Sequence, residues 1–243
     1  MKMTRKLIPA LVMLLVSAIM LSTASFAWFA SNDVVTATDM SVTAKSAARF
    51  LEISNAEGGT YTASAEATND AKEVDLIHAK VNGTTVSWYT GSSTLAGDKG
   101  TTNSTPIDGG IAEDGGSYAL VNTFYVKMSA GSTIDLTNLT VTKVTVAGTT
   151  SALDPALRVL VVGENGAQIY RPTADGSLDA VTIEGSANSA TLINTIPKEG
   201  PVKTIKVYVY FDGDDAAATT NNAATLVAKT VSVEFTAYPA AQG

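Results

Sequence analysis

The sequence predicts an all-β protein, an antiparallel β-sandwich of jelly-roll type preceded by an N-terminal signal or transmembrane helix. Three observations carry that expectation. Leu7 to Leu21 is an almost uninterrupted apolar run behind a basic patch. From about residue 30 onward apolar side chains alternate with Thr, Ser and Lys instead of recurring at helical spacing. The alternating runs are rich in Val and Thr and are separated by Gly, Asn and Asp, which is strand chemistry punctuated by turn chemistry.

The leader divides into three zones. Lys2, Arg5 and Lys6 favour the cytoplasmic side, and Pro9 falls in the first turn of the apolar helix, where it is tolerated. Ser22 to Ala27 is small and polar, with Ser25 and Ala27 at the −3 and −1 places of a signal-peptidase site, so cleavage is expected before Trp28. The competing reading is an uncut anchor, since Leu7 to Ala30 is long enough to cross a hydrocarbon core roughly 30 Å thick. The expected domains are therefore 1–27, a signal peptide or membrane anchor, and 28–243, a β-sandwich.

Strands are expected at Asp33 to Lys45, Phe50 to Ser54, Thr60 to Glu66, Val74 to Val81, Thr84 to Tyr89, Tyr118 to Met128 and Leu136 to Val146. Further strands are expected at Ala156 to Val162, Ala167 to Tyr170, Ala180 to Ile183, Thr204 to Phe211 and Leu226 to Ala237. Asn82-Gly83 between two alternating runs is a type I′ hairpin signal, and Gly163-Glu164-Asn165-Gly166 joins a second pair. Gly91 to Ser117 is rich in Gly, Ser and Thr and poor in large apolar side chains, so it reads as a long surface loop, or as a linker between two lobes.

Charge narrows the partners. The chain has 16 basic and 23 acidic residues, a formal balance of −7, and no acid precedes Asp33. An acidic body repels nucleic acid and anionic lipid, which leaves proteins, cations or polysaccharide as partners and confines membrane contact to the leader helix. The absence of Cys excludes disulfides and thiolate chemistry.

Catalytic constellations are hard to assemble. His78 is the single histidine and lies in an alternating run, where it reads as an ordinary strand residue. One His and no Cys disfavour zinc, and neither HExxH nor a phosphate-binding glycine loop occurs. Asp212, Asp214 and Asp215 flank Gly213 after a strongly alternating strand and are candidate Ca²⁺ ligands. They lack EF-hand spacing, and a solvated turn is the preferred reading. Trp88-Tyr89 is the one exposed-looking aromatic pair, and packing is preferred over a sugar platform. No catalytic residue, cofactor or resident metal is expected, and the chain is expected not to be an enzyme.

The junction Ser22-Thr23-Ala24-Ser25-Phe26-Ala27-Trp28-Phe29, followed by a Thr/Val strand from near Val34, resembles that of the TasA and camelysin family. The ending Val207 to Asp215 followed by Leu226 to Thr236 is similar to the closing strand pair of such proteins. The resemblance implies export from a Gram-positive bacterium through a SipW-type signal peptidase and an extracellular fibre of jelly-roll subunits. Some relatives are labelled metallopeptidases, an activity the scarcity of histidine argues against here.

The expected function is thus that of a secreted or cell-surface structural protein, of the biofilm matrix or a fibre, self-associating into filaments or joining other matrix proteins. The expected coupling element is the strand Asp33 to Lys45, through Val34, Val35, Met40 and Val42, added to a sheet edge of the next subunit. A chain beginning after Lys45 is expected to stay folded and lose assembly. The alternatives are a surface adhesin or carbohydrate-binding sandwich, and more remotely a hydrolase.

Overall fold

Alternation fixes which face of each strand is buried, and the longest strands set the architecture. In Lys203–Phe211 the residues Ile205, Val207, Val209 and Phe211 point to one side and are all buried. The computed structural model describes residues 34–37, 41–46, 50–69, 72–90, 105–147, 155–173, 175–183, 186–215 and 230–240. Among them the chain is all-β, with fifteen strands, no helix, and mostly antiparallel pairing. Residues 35–243 form one unit, and of residues 1–34 only Val34 is described. The leader with Ser25, Ala27 and Trp28 lies outside the described residues, as does Met40.

Sheet I has six strands in the order β12 (Asp179–Ala180), β11 (Ala167–Arg171), β10 (Leu157–Val162), β14 (Lys203–Phe211), β8 (Leu120–Met128) and β3 (Leu51–Ser54), all paired antiparallel. Sheet II has five, in the order β13 (Thr191–Ile196), β9 (Leu136–Ala147), β15 (Thr230–Pro239), β2 (Ser41–Ser46) and β4 (Ser64–Thr68). Its one parallel pair is β2 with β15, running Thr230↔Ser41 to Phe235↔Ser46. β1 (Val34–Ala37) pairs with β5 (Lys72–Asp75), and β6 (Ile77–Asn82) with β7 (Thr85–Thr90) as a separate hairpin.

The two large sheets enclose a shared core. Val42, Val144, Val233 and Phe235 from sheet II join Ile53, Phe124, Val161 and Val207 from sheet I, with full or nearly full burial. A second core covers the other face of sheet I. Leu160, Ile169 and Tyr210 meet Ile77, Ala79, Val81 and Trp88 of the hairpin together with Val181 and Ile183. The Trp88 ring centroid lies 5.4 Å from those of Tyr208 and Tyr210, edge-on to the latter. Burial of strands on both faces is why β10 reads as an apolar run, Leu157-Arg158-Val159-Leu160-Val161-Val162, with one charge in it.

Several expected elements are redrawn. The single strand expected at Asp33 to Lys45 is two, β1 and β2. Val42 and Ala44 of β2 are completely buried, and the strand has partners on both sides, β15 and β4. The run Val74 to Val81 breaks at Leu76, because β5 turns to β1 while β6 turns to β7. β13 was not expected at all. Of Ala180 to Ile183 only Ala180 is in a strand, and Val181 and Ile183 instead fill the second core. The β6–β7 loop is Gly83-Thr84, with Asn82 already paired to Thr85. Gly83 has φ +65° and Thr84 is not in the left-handed region, the pattern of a type II′ turn and not of the expected I′ turn.

The Gly163 to Gly166 loop does close the β10–β11 hairpin, and Asn165 ties it to β13 by donating to the Leu192 carbonyl and accepting from the Asn194 N–H, each at 2.8 Å. A Cβ on Gly163 would sit 2.3 Å from the Leu192 carbonyl oxygen, so glycine is required for that approach. Of the expected surface loop Gly91 to Ser117, residues 105–117 are described. They rest on the hairpin, with the Ile107 N–H donating to the Trp88 carbonyl and with Ile107 and Ile111 packed on the second core.

Candidate functional site

At the end of β14 the chain turns through Asp212-Gly213-Asp214-Asp215, and backbone hydrogen bonds fix that turn against two other elements. The Asp212 N–H donates to the Ala156 carbonyl at 2.8 Å, and the Gly213 N–H to the Ile77 carbonyl at 3.0 Å. Ile77 thereby bridges in parallel to Asp212, and the next residue of β6, His78, is brought beside the turn. Ile77, Ala79 and Val81 face the second core, so alternation turns His78 the other way.

The result is a sealed charge network. His78 Nδ1 lies 3.0 Å from Asp212 Oδ1 and 3.5 Å from Asp214 Oδ2. Asp212 Oδ1 also accepts from the Asp214 N–H at 3.1 Å. On the far side, Asp212 Oδ2 is 3.4 Å from Arg158 Nε. Arg158 Nη1 donates to the carbonyls of Pro155 and Leu157, and its Nη2 donates to Asp215 Oδ2 at 2.7 Å. Arg171 continues outward, 3.7 Å from Asp215 Oδ2 and 3.4 Å from Asp179 Oδ2. Exposure rises along this path: the side chains of His78, Asp212, Asp214 and Arg158 are at 0%, Asp215 at 14%, Arg171 at 33% and Asp179 at 44%.

Burying four such groups costs several kcal/mol per ion, and only close pairing with hydrogen-bonded partners offsets it. His78 Nε2 is buried without a hydrogen-bond partner, which places the proton of a neutral ring on Nδ1, facing the carboxylates. A bare lone pair is cheaper to bury than a stranded N–H.

These distances correct two expectations. Asp212 and Asp214 do not form a solvated turn, because both are fully buried. His78 is a strand residue, as expected, but its ring holds the carboxylate of Asp212, 134 residues away, and lies beside that of Asp214. Arg158 was missed altogether. Its signal was present, a guanidinium in the middle of five apolar residues, which requires a buried counter-charge nearby. Ligand atoms of His78, Asp212 and Asp214 all lie within 4.8 Å of one another, the described residues' one such grouping.

The other candidates are scattered. Trp88 is buried and Tyr89 half-buried beneath Lys80, whose Nζ is 5.4 Å from the ring centroid, so the pair forms no flat aromatic platform. Val42 is interior to sheet II, while Val34 and Val35 lie in β1. Among the described residues no helix is long and apolar enough to cross a membrane. Comparison with family models, curated proteins and solved structures finds no match to this chain.

Proposed function

We propose that this chain is an exported, non-enzymatic structural protein of a bacterial cell surface or biofilm matrix, a jelly-roll subunit that self-associates by N-terminal strand addition. The observation that carries the reading is the use made of the ionisable side chains. The fully buried group of His78, Asp212, Asp214 and Arg158 ties the hairpin layer to sheet I where no substrate reaches it. The signal-peptide pattern around Ser25 and Ala27 supports export. The buried Trp88 offers nothing to a carbohydrate-binding alternative.

The coupling element in this reading is β1 with the residues before it. β2 is held on both sides, whereas β1 pairs with β5 alone in a two-stranded sheet, a marginal unit by itself. Electron microscopy of protein secreted by its own host, with N-terminal sequencing, tests the proposal. Filaments of chains beginning at Trp28 are the expected result. Monomeric protein under all conditions overturns self-association, and chains retaining residues before Phe26 overturn the processing site.

A further inference from the structure

We infer that His78, Asp212 and Asp214 form a closed structural site for one divalent transition-metal ion, Zn²⁺ being the best fit. Two carboxylates converge on the same imidazole nitrogen, at 3.0 and 3.5 Å, yet a neutral ring has a single proton to offer there. Only the Asp212 contact is a hydrogen bond. A cation with several coordination positions uses all three ligand atoms at once. Zinc bonds to nitrogen and oxygen are about 2.0–2.2 Å, so neighbouring ligands of a tetrahedral ion stand about 3.3 Å apart, between the two observed separations. Calcium takes six to eight oxygens at longer range, and an imidazole is foreign to it.

Charge points the same way, independently of the spacing. The ion pairs described above join Asp179, Asp212 and Asp215 to the two guanidiniums, Arg158 and Arg171, and bring Asp214 to His78. A divalent ion brings positive charge between the Asp212 and Asp214 carboxylates, which both face one ring nitrogen. Asp212 Oδ2 is buried without a hydrogen bond and faces Arg158 Nε, an outer partner suited to orienting a metal-bound carboxylate. Metal at Nδ1 moves the ring proton to Nε2, where no acceptor waits. That cost is one lost hydrogen bond, small beside the binding of a structural zinc. A second carboxylate oxygen, or a water entering with the ion, completes the coordination. Counting histidines and cysteines undervalues such a site because carboxylates are zinc ligands too. Its closure to solvent makes it a staple of the fold, with no open position for a substrate.

The test is refolding of the full-length chain, unfolded in chelator and returned to native buffer with ZnCl₂, with CaCl₂ or with chelator alone. About one zinc per chain is expected to remain after desalting, with a higher urea midpoint than in chelator, and Co²⁺ in place of zinc is expected to give visible d–d bands of low coordination number. D214N should weaken zinc binding by more than the roughly 10–100-fold that loss of an outer partner costs. Should D214N fail to fold, the Co²⁺ spectrum of the wild-type chain decides alone. Equal midpoints in zinc and chelator with no retained metal, or stabilisation by calcium equal to that by zinc, overturns the assignment.

Discussion

Replacing His78 with Ala leaves Asp212 and Asp214 facing each other with their shared imidazole removed, at a fully buried position. Breaking one side of a buried pair typically costs about 3–5 kcal/mol, so the variant is expected to lose about that much in urea unfolding while keeping its far-ultraviolet β signal. A loss under about 1 kcal/mol would mean that the ring is a spectator. A second residue-scale expectation concerns alkaline pH. Burial raises the Tyr170 phenol above its ordinary value of 10.0, and burial does the same at Tyr208. Because the folded value is the higher one, this contribution is complete below about pH 10 and is lost as pH rises beyond it, when the unfolded chain releases protons that the folded chain must keep. The urea midpoint should therefore fall as pH rises above about 10, and less steeply in Tyr170→Phe. At this scale residue types were readable in the sequence and their partners were not. Nothing local announces that His78 meets a turn 134 residues away, although a lone Arg in the apolar run of β10 demanded a distant acid.

Among the elements, β1 and β2 divide what looked like one strand, and the division can be tested by truncation. Of the described strands, a chain beginning at residue 39 lacks β1 alone, with its pairing to β5, and is expected to retain the near-ultraviolet signal and cooperative melting of the parent while losing assembly. A chain beginning after Lys45 lacks the strand between β15 and β4, along with buried Val42 and Ala44, and is expected to be unfolded, contrary to the expectation from sequence. If the shorter chain melts cooperatively, β2 is dispensable; if the longer one unfolds, β1 belongs to the core. Long alternating strands such as β8 and β14 were legible because Leu120, Phe124, Val126 and Met128 keep one face around a single Asn122, and Ile205, Val207, Val209 and Phe211 keep one without interruption. β13 was not, since Thr191-Leu192-Ile193-Asn194-Thr195-Ile196 buries two adjacent residues across a register shift and so loses the period of two. The break at Leu76 is similarly invisible, because only the choice of partner separates β5 from β6.

For the molecule as a whole, the class of fold followed from periodicity and turns, but the third layer did not. Residues 105–117 look too poor in apolar side chains to pack, yet Ile107 and Ile111 lie against a surface that Trp88, Tyr208 and Tyr210 have already made. A sparse segment can be ordered by a rich neighbour, and composition read one window at a time misses it. Sheet II carries another property of the whole. Its parallel pair joins residues 41–46 to residues 230–235, and the Ser41 hydroxyl reaches the Thr230 hydroxyl across 189 positions. Contacts of such separation must close a very long loop before they are rewarded, which slows folding relative to a chain of local hairpins. β15 also stands between β9 and β2, so until it arrives those strands have no common neighbour and the shared core lacks Val231, Val233 and Phe235. The shared core therefore closes only once β15 has been made, well after every strand of sheet I and the hairpin against its other face is available to pair.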